Sequence, residues 1–169
     1  MDNKNSFSKM IDVALSIIPE AHNTQTDKAG LPYQMHPLAV ATGFAKICAV
    51  VPPNKGILFE SGYLAALLHD VVEDSDITLL DLRERGFNAE TLIIVDALTK
   101  RDDEEYFAYI NDIVNRQDRF QSTIAAVKLA DLMENTSSYR DIVMGNGIQN
   151  RDSLKYSNAK NAMRKILFK

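Results

Sequence analysis

Absences set the first limits on this chain of 169 residues. There is one cysteine, Cys48, so no internal disulfide can form, and its setting in FAKICAV points to a buried structural thiol. There is no excess of basic charge: 19 Lys and Arg stand against 23 Asp and Glu, a formal net charge of −4. That balance argues against nucleic acid as a partner, because gripping its backbone takes a basic surface that releases counterions. Local basic residues can still hold a small phosphate ligand. No apolar run approaches membrane-spanning length, and the amino terminus MDNKNSFSKM has no apolar core of signal-peptide length. A cytoplasmic protein with no membrane partner is the expectation. Glycine and proline are few, 7 and 5, and no repeat or low-complexity tract is present, which excludes a disordered chain. No segment alternates apolar and polar residues convincingly enough to be a strand.

What is present suits one helical domain over residues 1–169, since a chain with 46% hydrophobic residues can bury a substantial core. Phe7, Met10, Ile11, Ala14, Leu15, Ile17 and Ile18 form the apolar face of a first helix capped by Asn5 or Ser6, which gives out around 19–23. Residues 23–35 read as a loop bracketed by His22 and His36, and His36-Pro37 opens a second helix, apolar nearly all round, to about Val50. A third runs from about Ile57 to Val72. Thr78 caps a short helix stopped by Gly86, and Asn88 caps another through Leu98. The acidic run 102–105 suits the start of a helix over 102–116, and a long helix follows from about Asp118. Residues 137–150 read as a loop with its tip at Gly145-Asn146-Gly147. Asp152 or Ser153 begins a last helix, packed through Leu154, Met163, Ile166 and Leu167. The fold class is therefore all-α, an irregular bundle of about seven to nine helices.

The chemistry concentrates in LAALLHDVVED, residues 64–74. A five-residue apolar lead-in, LAALL, delivers His69 and Asp70 side by side, with Glu73 and Asp74 within one turn. Such groups are not buried without a partner that offsets their desolvation, and a metal ion is the partner to look for. Positions three and four apart share a helix face. His69 and Asp70, however, are about 100° apart, so both reach one ion only at the inner edge or where the last turn loosens. The plain alternative is a helix end with an acidic tail. Further on, IAAVKLADLM encloses Lys128 and Asp131, whose partner is either each other or a metal. His36, His69, Asp70 and Asp131 would form a mixed nitrogen and oxygen shell, suited to Mn²⁺, Fe²⁺, Co²⁺, Ni²⁺ or Zn²⁺ rather than Ca²⁺. An ion with open positions lowers the pKa of bound water, which suits phosphoryl chemistry.

Three segments carry a resemblance: AHNTQTDKAGLPYQMHPLAVA, LAALLHDVVEDSDIT and VKLADLMENT, with an intervening ALTK. Their H…HD…D order resembles the HD-domain metal-dependent phosphohydrolases. Over roughly residues 20–140 the match is to the hydrolase domain of RelA/SpoT-type alarmone hydrolases, with no room in the remaining chain for a synthetase or regulatory domain. The resemblance implies that His36, His69, Asp70 and Asp131 hold a divalent metal, Mn²⁺ in family terms. It also implies that Glu73 and Asp74 are the catalytic pair, that Lys28, Asn135 and Ser138 contact a phosphorylated nucleotide, and that His22 lies outside the metal shell. The activity implied is release of pyrophosphate from the 3′ position of (p)ppGpp. Asp27, Ala29, Leu132 and Glu134 depart from the family pattern, each removing a cation or polar group near the expected nucleotide pocket. Two alternatives stay open: hydrolysis of another nucleotide or small phosphorylated metabolite, and a metal-bearing module that binds a nucleotide without cleaving it.

Overall fold

A computed structural model of the protein describes residues 3–27, 30–137 and 154–169. Nine α-helical segments lie among them: α1 Asn3–His22, α2 Met35–Cys48, α3 Phe59–Leu68, α4 Val71–Asp74, α5 Leu79–Glu84, α6 Ala89–Leu98, α7 Tyr106–Asn115, α8 Gln121–Asn135 and α9 Leu154–Phe168. No strand is found among the described residues, only an isolated bridge between Thr26 and Pro32. The all-α expectation holds. None of these helices is long and apolar enough to cross a membrane.

The core forms where α2, α3 and α8 meet. Val40, Ala41, Phe44, Ala65, Leu68, Ile124, Val127 and Ala130 are buried there. Two glycines let the backbones close in. A Cβ on Gly43 would sit 3.3 Å from Ala130 Cβ, and one on Gly62 only 2.5 Å from Phe44 Cζ and 2.6 Å from Thr123 Cγ2. These small positions bring the start of α2, the end of α3 and the middle of α8 to one place.

Several expected boundaries shift, each for a local reason. α1 continues past Pro19 to His22, since one missing N–H in the last turn is outweighed by the packing of buried Ile17 and Ile18. Leu15 is off that face and exposed. α2 begins at Met35, so Pro37 is its third residue, still within the turn whose N–H groups have no helical partner. It buries one side and leaves Met35 and Leu38 exposed, so it is not buried all round. Cys48 is half-buried rather than fully so, and burial pushes its thiol up to about 11.

α3 stops at Leu68. His69 follows it, and Asp70 at φ −100°, ψ −5° breaks the helix before α4, so the expected continuous helix to Val72 is two pieces. α7 starts at Tyr106 rather than Asp102, because the acidic run is used before the helix: Glu104 accepts from Arg101 N–H, while Arg101 pairs with Asp96. The Thr78 capping box with Asp81 and the Asn88 cap on Thr91 form as expected, and Gly86 takes φ 98° after α5. α9 packs through Ala159, Met163 and Leu167, spaced by four, and leaves Leu154 exposed. The expected loop tip at 145–147 and the caps Asp152 and Ser153 lie outside the described residues.

Candidate metal centre and active site

Three helix segments supply the centre. His36 comes from the first turn of α2, His69 from the C-cap of α3 and Asp131 from the buried face of α8, and one ligand atom of each lies within 4.8 Å of the others. Asp70 adjoins them through Oδ2, 2.9 Å from His69 Nε2 and 3.5 Å from His36 Nε2. The break at Asp70 permits this, since it loosens the turn and relaxes the angular separation of neighbouring helical residues.

Asp131 divides its oxygens between two sets of partners. Oδ2 accepts from Lys128 Nζ at 2.8 Å, while Oδ1 accepts from Asn135 Nδ2 at 2.5 Å and faces His36 Nε2 at 3.4 Å. Burial alone would raise the Asp131 carboxyl, but the Lys128 ammonium and the His36 hydrogen bond outweigh it and hold the group well below the usual carboxylate range. Burial opposes charge on His36 as well. Its hydrogen bonds to Asp131 and Asp70 win, and the ring is pushed up to about 9.

The donor set fits a cation. His69 Nδ1 lies 2.9 Å from Ala66 O, an acceptor, so the proton of a neutral ring belongs on Nδ1 and Nε2 presents a lone pair. That Nε2 is buried with no hydrogen-bond partner, because the approach of Asp70 Oδ2 lacks hydrogen-bond geometry. A lone pair facing two carboxylates calls for positive charge between them, which a divalent ion with nitrogen and oxygen ligands supplies.

Glu73 and Asp74 share with Asp70, Asp131 and Asn135 the wall of a pocket of about 230 Å³. Glu73 Oε2 accepts from Lys100 N–H at 2.9 Å. Burial, followed by the charge on Asp70, raises the Asp74 carboxyl above its ordinary value. Burial raises Glu73 too, and the Lys100 hydrogen bond only partly offsets it. Both are thereby made better proton acceptors than free carboxylates.

The pocket also gathers residues that sequence reasoning passed over: Lys100, Tyr106, Lys155 and Tyr156. Lys155 Nζ lies 3.8 Å from the Tyr106 ring centroid. Only Lys100 carried a signal, the ALTK segment. His22 stands outside the centre, as expected, fully buried against Tyr33. Lys28 and Ser138 lie outside the described residues. A larger groove of about 940 Å³ beside α9 holds none of these groups.

No family model matches the chain. Curated relatives do. The chain is 37% identical over 97 residues to a GTP pyrophosphokinase of Streptomyces coelicolor, covering 57% of this chain and 10% of that protein. It is 37% identical over 90 residues to a guanosine-3′,5′-bis(diphosphate) 3′-pyrophosphohydrolase of Aquifex aeolicus, covering 53% and 12%. A protein of the same name from Vibrio cholerae is 37% identical over 83 residues, covering 49% and 10%. The chain thus spans about a tenth of the length of these relatives. Among solved structures, the fold matches that of a metazoan ortholog of SpoT described as hydrolysing ppGpp, with a TM-score of 0.61, 21% identity and 93% of each chain covered. Over about half of its length the chain is thus similar in sequence to proteins with alarmone synthase and pyrophosphohydrolase names, and its fold is like that of the SpoT ortholog.

Proposed function

We propose that this chain is a metal-dependent phosphohydrolase that releases pyrophosphate from the 3′ position of guanosine alarmones, with Mn²⁺ as its ion and the cytoplasm as its compartment. The observation that carries the reading is the buried His36, His69 and Asp131 cluster, with Asp131 lining one pocket together with Glu73 and Asp74. The hydrolase names of the Aquifex and Vibrio relatives support the substrate.

His36, His69, Asp70 and Asp131 hold the ion. When bound, it supplies electrophilic stabilisation of charge on the phosphoryl oxygens and makes water a stronger acid. Glu73 and Asp74 orient the attacking water and accept its proton, a task their raised carboxyls suit. Lys128 stays charged: burial disfavours the ammonium, but the carboxylate of Asp131 outweighs that and holds its pKa well above the usual value. With Lys155 it offers positive charge to a polyphosphate from the pocket wall. Lys28 and Ser138 complete the nucleotide contacts in this reading, with Asn135, which also braces Asp131.

The test is turnover of ppGpp by the Mn²⁺-loaded protein, with pyrophosphate as the readout. Release abolished by Asp70→Ala supports the reading, and no release at high enzyme concentration with metal bound overturns the substrate. A second reading keeps the chemistry and changes the substrate. Asp27 puts a carboxylate on the loop beside the pocket, where Oδ1 accepts from Leu31 N–H at 3.0 Å. A panel of nucleotides and sugar phosphates separates the two.

A further inference from the structure

Both proton acceptors of the proposed reaction ride on α4, a single turn of four residues, and one turn is poorly held by its own hydrogen bonds. Asp74 N–H donates to Asp70 O at 2.8 Å and Ser75 Oγ–H to Val71 O at 2.6 Å. The two ends of this turn are met by side chains from one loop.

That loop is laced to itself. Tyr33 N–H donates to Gln25 O at 3.0 Å, Asp27 N–H donates to Leu31 O at 2.8 Å, and Gly30 at φ 78° turns the chain. Gln25 and Tyr33 are thereby fixed relative to each other. From this platform Tyr33 Oη–H donates to Asp70 Oδ2 at 2.5 Å, and Gln25 Nε2–H donates to Asp74 O at 2.7 Å. Behind both lies His22, fully buried, its Nδ1 2.9 Å from Gln25 Oε1 and its ring 5.0 Å from that of Tyr33. Because the Gln25 nitrogen is committed to a carbonyl, its oxygen faces Nδ1, and His22 donates to it. The amide can point only one way.

We propose that Tyr33 and Gln25 are positioning residues. Tyr33 fixes the Asp70 oxygen that faces the histidines, and Gln25, oriented by His22, fixes the turn carrying Glu73 and Asp74. The inference rests on the phosphohydrolase reading of the site. Asp70 Oδ2 is the oxygen nearest His69 Nε2, so the hydroxyl selects which lone pairs remain for an ion. Gln25 acts on a main-chain carbonyl and engages neither of the proposed catalytic carboxylates.

The experiment uses the full chain and the variants Tyr33→Phe, Gln25→Ala and Gln25→Glu. Mn²⁺ binding is followed by electron paramagnetic resonance, ppGpp turnover as separate kcat and KM, and amide hydrogen exchange over 71–74. Tyr33→Phe keeps the ring, so the metal-free melting temperature is expected to hold while Mn²⁺ binds about 10–100-fold more weakly. Gln25→Ala is expected to keep Mn²⁺ affinity, lower kcat by roughly tenfold or more at unchanged KM, and speed exchange over 71–74. Gln25→Glu, similar in size but without the donor, is expected to behave like the alanine variant. Undiminished Mn²⁺ affinity in Tyr33→Phe, or full kcat with unchanged exchange in Gln25→Ala, overturns the proposal. If the parent protein neither binds Mn²⁺ nor cleaves ppGpp, the functional reading fails. The exchange data then decide positioning alone: faster exchange in both Gln25 variants supports it, and unchanged exchange overturns it.

Discussion

The division of labour among neighbouring acids is set at single residues. Asp70 faces two histidines, whereas Glu73, one turn on, faces the pocket and takes a main-chain N–H from Lys100. Removing them has different consequences. Asp70→Ala deletes a ligand and is expected to abolish Mn²⁺ binding and turnover together. Glu73→Gln keeps the shape and is expected to leave Mn²⁺ bound while lowering kcat about 10²–10⁴-fold. Loss of metal in Glu73→Gln, measured by equilibrium dialysis, would contradict that division. The pH profile has a definite sign. A base must be ionised to act, so kcat/KM is expected to fall with decreasing pH as Glu73 is protonated, and Glu73→Gln is expected to remove that acid limb; burial raises this carboxyl in the metal-free chain, and a bound cation opposes the rise.

That His36, His69 and Asp131 come together was foreshadowed in the sequence, His69 and Asp131 by their apolar runs and His36 by its place at the start of a helix beside a polar cluster. Tyr33 was not, because its partner Asp70 is remote along the chain and nothing in the local pattern announces the pairing.

At the scale of elements, the crossing of α2, α3 and α8 places the ligands, and Gly62 is its tightest point. In an exposed helix, Gly→Ala is worth up to about 1 kcal/mol of stability. Here the added Cβ would meet Phe44 and Thr123 at distances no Cβ tolerates. Gly62→Ala is therefore expected to destabilise by roughly 1–3 kcal/mol, lowering the melting temperature by about 2–4 °C per kcal/mol for a chain of this length. Thermal unfolding followed by circular dichroism checks it, and an unchanged midpoint would mean that α3 shifts at little cost. Helix identity followed from the apolar spacing, and caps such as Thr78 and Asn88 followed from chemistry confined to a few residues. The break between α3 and α4 did not, because Val71 and Val72 continue the apolar pattern while tertiary demands at Asp70 turn the backbone. The start of α7 was misplaced for a similar reason, the acids at 102–105 serving Arg101 and the turn instead of the helix dipole.

For the molecule as a whole, the candidate ligands come from three segments far apart in sequence, so an ion at their meeting point would tie the bundle together. In the metal-free state the centre carries a cost that protonation partly relieves, which is why His36 is pushed up to about 9 between two carboxylates. A ligand that binds the folded chain and not the unfolded one stabilises it by RT ln(1 + [L]/Kd), about 2.7 kcal/mol at a hundredfold excess over Kd. For a domain of this size that is a rise in midpoint of about 5–10 °C. Mn²⁺ is expected to produce such a rise, growing with the logarithm of its concentration, in the parent protein and in Glu73→Gln, and to produce none in Asp70→Ala. Differential scanning calorimetry across a Mn²⁺ series reads this without substrate. A rise that persisted in Asp70→Ala would put the stabilising ion somewhere other than the centre built by α2, α3 and α8.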